Sequence, residues 1–541
     1  MHSSFLTALC LSVLMVVGRA SAADSRFHPD LSAALAELDR ARGAEAYAAL
    51  RRVWSTWDRA DPTQVEEALA LAEQSPRLGP AERAYAGTLW AYARVRRGDL
   101  PTAQRKLRRL GYVDRWLVLG PFDNEGKTGL SQAHGPEADL ATPILTSKTY
   151  PGSERPVRWR SATDAFPYGF LDFGALLRPE AKVCGFAATY VSDAGPKPGK
   201  RRLSGWIGTG GALRVFWNGV EVESNDRYSA HDFDRIAVPL ALEPGPNLLV
   251  VKVCSDEGSP VLSVRFADER GAPAENLEYS DDLKNAEPAA ELATKSLKLG
   301  QPNKPDPKAN RAGPKGPLET LGAAASGKNP SAAALESYAR YLDETDGDDP
   351  ALHLARDLAR RAAEKEPTVQ RALLAGKLSE DRNQAGDWIA RADALAKKQG
   401  KPDRDVLIAQ AWHRRYSPNF QEALPYFEQA LEIDPLSLEA LRGWMELYNL
   451  VGLPRTALSR IERALEQSPH SVGLLGLYAA QLRTLGRTTE AAEVEARYHG
   501  FRFDDGGYLA GQLELAIDRR ERAAAERWAE RLVATEPHDL W

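Results

Sequence analysis

The C-terminal third of this chain repeats itself at an interval of 34 residues. Alanine marks the repeat at Ala423, Ala457, Ala491 and Ala525. Proline follows three of these alanines in one register, at Pro435, Pro469 and Pro537, and Phe503 stands in the remaining place. An alanine lets two helices cross closely, and proline, which has no N–H to donate, ends a helix. The interval therefore predicts units of two helices that bury their apolar faces only by stacking on one another.

The blocks of the repeat follow this pattern to different degrees. In the best one, Ile461 and Ala464 share a helical face with Ala457, and Tyr448 and Gly452 precede them. Extending the register backwards reaches Ala355, Ala359, Ala362 and Pro367. The block 370–403 fits poorly, because Ile389 and Asp393 occupy its alanine and aromatic positions. These residues resemble the tetratricopeptide-repeat (TPR) family over 336–541, as about six units. The resemblance implies an α-helical solenoid that binds protein or peptide partners as a non-catalytic scaffold.

The same resemblance implies a partner-binding face. In the family, the first helix of each unit lines a concave groove through its second, fifth, ninth and twelfth positions. In this register the candidate residues are Trp412, Arg415, Arg442, Glu446, Asn449 and Arg483. An aromatic ring among arginines and an asparagine suits an extended peptide or a carboxylate-bearing tail. The alternative is that these are ordinary solvated helix residues.

The middle of the chain, 112–273, has a strand pattern. Trp116 to Phe122 is β-branched and aromatic and ends in Gly-Pro, and Asn218-Gly219 joins two short alternating runs as a type I′ hairpin would. Short strands with turns and no helices between them predict an antiparallel β-sandwich. Trp217 to Val220, with the later Gly245-x-Asn247-x-Leu249 run, is similar to galactose-binding-like jelly-roll domains. Bacterial envelope proteins that combine such a sandwich with helical repeats often also carry a transglutaminase-like domain, which this sequence does not show.

This resemblance gives the second candidate function, binding of carbohydrate or cell wall by the sandwich. The loop after the hairpin supplies Asp226, Tyr228, His231 and Asp232 as candidate sugar ligands. Trp206 or Trp217 would then be the stacking platform. The alternative is that both tryptophans belong to the core. A third interpretation is an enzyme-bearing architecture whose catalytic domain has been lost.

The mature chain keeps two cysteines, Cys184 and Cys254. They stand at the ends of two predicted strands, so antiparallel neighbours would bring them together as a disulfide; two free buried thiols are the alternative. A catalytic thiol needs an oriented histidine, and His231 has no suitable motif around it. The run Gly208 to Gly211 lacks the lysine of a phosphate-binding loop and is predicted to be a turn. We therefore predict no enzyme, no cofactor and no metal site.

Two further segments flank the predicted domains. Residues 24–111 read as helical, and Gly98, Ala103 and Leu107 fit either one degenerate repeat unit or a plain helical cap. Residues 274–331 contain a stretch rich in proline, lysine and glycine, so they are predicted to be a flexible linker that lets the two halves move.

The remaining expectations concern location and partners. Phe5 to Val17 and Ala20-Ser21-Ala22 resemble the apolar region and cleavage site of a signal peptide over 1–22, so we expect a periplasmic or secreted protein with partners in the cell envelope. No other stretch is apolar enough to span a membrane. A net charge of −5 over 541 residues argues against a nucleic-acid partner. Trp528 and Leu532 on the last helix predict that the C-terminal end docks on another copy of the chain, on another subunit or on a domain missing from this chain.

Overall fold

The computed structural model describes residues 27–162, 169–298, 313–345 and 349–535. The predicted signal peptide, 1–22, lies outside these ranges. Within them, no helix is both long and apolar enough to cross a bilayer. The chain has a helical N-terminal region, a middle region of antiparallel sheets and a helical C-terminal region.

The N-terminal region consists of five helices, and all except α2 have a proline in the first turn. They are α1 (Pro29–Arg40), α2 (Glu45–Ser55), α3 (Pro62–Gln74), α4 (Pro80–Arg96) and α5 (Leu100–Arg109). Proline in the first turn loses no hydrogen bond, because the N–H it lacks would have no partner there. The side chain of Asp61 caps α3 and that of Asp99 caps α5, each by accepting from a backbone N–H of the first turn.

The middle region contains β1 (Leu117–Asp123), β2 (Tyr150–Pro151), β3 (Pro156–Val157), β4 (Arg160–Ser161), β5 (Leu171–Asp172), β6 (Val183–Asp193), β7 (Arg201–Gly210), β8 (Ala212–Trp217), β9 (Val220–Asn225), β10 (Ile236–Leu242), β11 (Asn247–Cys254), β12 (Val261–Ala267) and β13 (Leu277–Ser280). A seven-stranded sheet runs β4-β1-β6-β11-β8-β9, with β13 also paired to β6, and a four-stranded sheet runs β10-β7-β12-β5. The short strands β2 and β3 pair separately, and a short helix, α6 (Gly135–Ala138), precedes them. At the β8–β9 turn, Asn218 has φ +48° and Gly219 φ +79°, as a type I′ hairpin requires.

Both faces of both sheets are covered. The two sheets share one apolar core between them, which includes Val215 and Val264. The outer face of the larger sheet is covered by residues between β1 and β4 and by a helix that follows β13. The outer face of the smaller sheet packs on the N-terminal helices, through Trp206 and Ala237. Strand β11 is accordingly buried along its whole length, instead of alternating between buried and exposed residues.

The prediction of a turn at Gly208 to Gly211 is wrong for its first three residues, which lie in β7. Glycine is needed there for space. A Cβ on Gly208 would come within 2.2 Å of the backbone oxygen of Asp232, so the glycine lets the segment after β9 lie against the sheet. Only Gly211, with φ +118°, has the backbone of a turn glycine.

The prediction of a flexible linker over 274–331 is wrong for most of its described residues, whereas 299–312, which hold most of the proline-rich stretch, lie outside the described ranges. Besides β13, they include α7 (Ala286–Lys298) and α8 (Pro317–Ala325). The buried face of α7 is made of alanines, and Ala286 and Ala289 pack on the larger sheet. In α8, Leu321 packs into the core that the N-terminal helices share with the C-terminal region.

The C-terminal region, called the helical array below, contains α9 (Ala332–Thr345), α10 (Asp349–Lys365), α11 (Val369–Lys377), α12 (Arg382–Lys398), α13 (Arg404–Arg415), α14 (Leu424–Ile433), α15 (Leu438–Leu450), α16 (Pro454–Gln467), α17 (Val472–Thr484), α18 (Thr488–Ala496), α19 (Gly506–Asp518) and α20 (Arg522–Thr535). Helices α13, α15, α17 and α19 begin at residues 404, 438, 472 and 506, so their starts repeat every 34 residues. Ala423 and Ala457 are fully buried and Ala491 is 1% exposed.

The N-terminal region contacts the array at or just before the starts of α13, α17 and α19, which are first helices of the repeat units. Arg404 at the start of α13 contacts Asp30 at 2.7 Å. Ser471, just before α17, donates to the backbone oxygen of Asp58 at 3.2 Å. The backbone N–H of Phe503, shortly before α19, donates to the oxygen of Arg96 at 2.9 Å. These contacts join regions that the linker prediction left free to move.

The alanine register is tested by Ala457→Trp. Ala457 has no exposed surface, so a bulky ring there should destabilise the fold by about 1–3 kcal/mol or more. Ala480 on α17 is exposed, and Ala480→Trp is the matched control. Chemical denaturation should separate the two variants. Equal midpoints would contradict the register.

The cysteine pair gives a second prediction. Cys184 and Cys254 lie opposite each other on β6 and β11, and their sulfurs are joined at 2.01 Å. Peptide mapping of denatured, unreduced protein should find neither thiol labelled. Reduction should lower the free energy of unfolding by up to about 4 kcal/mol, because the bond closes a long loop, with a sequence separation of 70. Labelling of both thiols before reduction would contradict the pairing.

Candidate partner-binding face

The six residues predicted to bind a partner lie on α13, α15 and α17, and these helices contact one another in sequence order. Arg415, Asn449 and Arg483 occupy equivalent positions, as do Trp412 and Glu446. Arg415 approaches Glu446 across the first pair of helices, with 3.9 Å between Nη2 and Oε2. The predicted residues therefore lie on neighbouring helices, and the surface that α13, α15 and α17 share is called the first-helix face below.

The α13 part of this face has hydrogen-bonding capacity that the chain does not use. The ring of Trp412 packs edge-on against Phe427 at 5.5 Å and stacks on Tyr416 at 6.3 Å. Its indole Nε1 and the Nε of Arg415 are buried and have no hydrogen-bond partner among the described residues. Buried donors are nearly always bonded, so these two N–H groups are exceptions, and each is covered by the chain itself.

The α15 and α17 parts of the face are more committed to the fold. Asn449 and Gln481 exchange two amide hydrogen bonds, of 2.9 and 2.8 Å. Arg483 forms an ion pair with Glu495 of α18. Arg442, in contrast, is exposed. Of the six predicted residues, Trp412, Arg415 and Arg442 therefore have the most capacity for a partner.

The predicted carbohydrate ligands do not form one surface. Asp226 is exposed, and Tyr228 donates from its hydroxyl to Oδ1 of Asn124 at 3.3 Å. His231 is bonded through Nε2 to the hydroxyl of Ser263 at 3.0 Å, and Asp232 is 2% exposed. The two predicted stacking platforms, Trp206 and Trp217, are 2% and 6% exposed. Neither tryptophan presents a ring face to solvent.

Asp232 instead belongs to a buried polar network that sequence reasoning missed. Its carboxylate accepts from the hydroxyl of Tyr85 at 3.0 and 2.9 Å and lies 3.5 Å from Nη1 of Arg51. Two residues later, the carboxylate of Asp234 accepts from Nε of Arg265, with distances of 2.9 and 2.8 Å to its two oxygens. Both residues are at most 1% exposed. The sequence hint was the run His231 to Arg235, in which four of five residues are titratable, directly before strand β10.

Arg51 and Arg235 extend this network into the helical array. Nη1 of Arg235 donates to the backbone oxygen of Thr345 at 2.9 Å, and Nη2 of Arg51 donates to that of Glu344 at 3.3 Å. Both acceptors are among the last carbonyls of α9, where a helix carries partial negative charge. The network thus joins the N-terminal helices, the smaller sheet and the array.

The pairing of Ser263 with His231 resembles a nucleophile and its base, but its surroundings are structural. Ser263 is 1% exposed. Asp232, the carboxylate next to His231 in the sequence, is hydrogen-bonded to Tyr85 instead of to the histidine. Burial, and then the charges of Arg235 and Arg51, lower the pKa of His231 to about 3. Cys184, the other nucleophile considered, is bonded to Cys254. Among the described residues, no group of three histidine, cysteine, aspartate or glutamate side chains could hold a metal ion.

Comparison with known proteins adds no family to these observations. The chain matches no protein-family model and no curated protein.

The state of His231 gives a pH prediction. In an unfolded chain its pKa is about 6.5, so between about pH 6.5 and pH 3 the unfolded state binds a proton that the folded state does not. Stability should therefore fall as the pH falls through this window, by up to about 1.4 kcal/mol per pH unit for this group. His231→Gln should reduce that slope, as measured by denaturant unfolding at several pH values. The exposed His353→Gln is the control, and an equal slope change in both variants would contradict the assignment.

Proposed function

We propose that the protein is an exported, non-catalytic scaffold whose helical array is a TPR solenoid that binds protein or peptide partners. The observation that carries this proposal is the repeat of 34 residues in the helix starts, which sets Trp412, Arg415 and Arg442 on the first-helix face. Within that face, Nε1 of Trp412 and Nε of Arg415 have no hydrogen-bond partner among the described residues. The two-sheet region, proposed to be a jelly roll, serves as the support on which the N-terminal helices and the array are assembled. Carbohydrate binding by that region has less support, because both candidate stacking rings are buried.

The chemistry of the face suggests the class of partner. Arg415 is only 21% exposed, and the carboxylate of Glu446 lies 3.9 Å from its guanidinium. A carboxylate of the partner that came closer would gain a strong charge-assisted bond there. Trp412 supplies an amphipathic surface of the kind that dominates binding hot spots. A protein segment that combines a carboxylate with an apolar side chain fits both.

The proposal is tested by capture from a cell-envelope extract with the full chain and with Arg442→Glu. Charge reversal on the face should reduce recovery of the captured proteins by at least about fivefold, since a like charge repels the partner's carboxylates. Arg463→Glu is the matched control, because Arg463 is equally classed as exposed but lies on α16, a second helix. Quantitative mass spectrometry gives the readout. Equal recovery with all three proteins would remove the first-helix face from consideration.

A further inference from the structure

The chain itself occupies the start of the first-helix face. The guanidinium of Arg404, at the start of α13, contacts the carboxylate of Asp30 at 2.7 Å. At the start of α17, the backbone oxygen of Asp58 accepts from Oγ of Ser471 at 3.2 Å and from the N–H of Gly473 at 2.6 Å. We call these contacts of Asp30 and Asp58 with the array the clasp.

The clasp uses groups that a helix start offers to a ligand. The first N–H groups of a helix have no partner inside the helix, so an acceptor from elsewhere satisfies them. Gly473 is the second residue of α17, and its bond to Asp58 is the bond that the carbonyl of a bound peptide would make. Asp30 likewise gives Arg404 the charge-assisted bond that a partner's carboxylate would give. The N-terminal region therefore contacts the array in the way that a partner would.

Two glycines show where the clasp ends on α17. A Cβ on Gly473 would come within 2.5 Å of the backbone oxygen of Asp58 and within 2.4 Å of the side chain of Leu438 at the start of α15. A Cβ on Gly476, three residues later on the same side of the helix, would meet no other described part of the chain within 4 Å. Gly476 holds the position on α17 that Arg442 holds on α15. The clasp therefore covers the first turn of this side and leaves the next turn open.

The N-terminal region is joined to the early and the later helices of the array in different ways. The apolar core of the N-terminal helices continues into α9, α10 and α11, where it ends at Ala375. Helices α13 to α18 have a separate core that begins at Leu407, and Phe501 packs against both cores. Between these apolar contacts, α13 and α17 are held by the ion pair and the hydrogen bonds of the clasp. Polar contacts of this kind lose little on opening, because water replaces the bonds that are broken.

The closed clasp also contains a polar atom that is not satisfied. His28 is 6% exposed, and its Nδ1 accepts from the N–H of Asp30 at 3.2 Å. Its Nε2 is buried and has no hydrogen-bond partner among the described residues. A buried polar atom without a partner disfavours the state in which it is buried. Opening the clasp would let water reach this nitrogen.

From the position and the polarity of the clasp we infer that the N-terminal region is a built-in competitor for the first-helix face. A peptide partner that follows this face from α13 to α17 displaces Asp30 and Asp58 and binds only the open form. The apparent affinity for such a partner is therefore reduced in proportion to the fraction of molecules that are open. The inference rests on the proposed function and deepens it, because it makes the binding face a regulated one.

The state of the clasp is tested with Asp30→Arg, which places a second guanidinium against Arg404, where like charges repel. Asp39→Arg is the matched control, because Asp39 lies on the same helix but forms its ion pair inside the N-terminal region. The amide of Gly473 is the reporter, since its acceptor is the oxygen of Asp58. Hydrogen exchange read by fragmentation mass spectrometry should be at least about tenfold faster at this amide in Asp30→Arg, and within about twofold of the unsubstituted protein in the control.

Binding is tested with a displayed library of random peptides, selected on the full chain that carries Asp30→Arg. Selected peptides that Arg442→Glu releases bind the first-helix face. They should bind the unsubstituted protein and Asp39→Arg at least about tenfold more weakly than Asp30→Arg, because both of these keep the clasp closed. Linkage adds a reciprocal expectation. Such a peptide, in excess over the unsubstituted protein, should speed exchange at the amide of Gly473.

Equal affinity of these peptides for Asp30→Arg and for the unsubstituted protein would overturn the inference and leave the proposed function standing. Exchange at Gly473 that is the same in Asp30→Arg and Asp39→Arg would do so too. Recovery of no peptide that Arg442→Glu releases would overturn both. If circular dichroism shows that Asp30→Arg does not fold, Gly473→Ala takes its place and Gly476→Ala becomes the control, since only the first of these Cβ atoms meets the N-terminal region.

Discussion

The arrangement of the whole chain depends on the buried charges that follow β9. Asp234 and Arg265 form an ion pair at a depth where neither meets water, and Asp232 accepts from the hydroxyl of Tyr85 beside them. Removing such charges from water costs several kcal/mol per ion and is offset only when every group is bonded in good geometry. The partners come from different parts of the chain, so the geometry is satisfied only when the N-terminal helices, the smaller sheet and α9 are assembled together. The network therefore fixes how these regions meet, and the apolar core around it stabilises the result.

That assembly decides which surfaces of the array remain accessible. With α9 docked through Arg51 and Arg235, the later helices pass the N-terminal region at the starts of α13, α17 and α19. One end of each first helix thus becomes internal structure and the other end stays exposed. A repeat array is locally symmetric along its length, but this docking makes its two edges different. The proposed partner surface is a consequence of that asymmetry more than of any single motif.

The features that could be predicted from the sequence are those set by local chemistry. The interval of 34 residues gave the starts of α13 to α19 because each helix end depends on a proline or glycine nearby. The hairpin at Asn218-Gly219 could be predicted because asparagine and glycine tolerate a positive φ, which both positions adopt. The missed elements depend on distant neighbours. In β7, Gly208 leaves room for the backbone of Asp232, which is distant in sequence. The alanines of α7 are buried because the larger sheet packs on them.

The candidate site divides along the same line. The repeat register placed Trp412, Arg415 and Arg442 on one face, since equivalent positions in stacked units face the same way. It could not show that Asn449 is paired with Gln481, because that bond depends on the distance between two helices. Nor could it show that Tyr416 and Leu450 are 68% and 54% exposed. Their exposure follows from the ends of α13 and α15 lying away from the N-terminal helices. Exposure of this kind is visible only after the regions are assembled, because it depends on which helix ends meet the N-terminal helices.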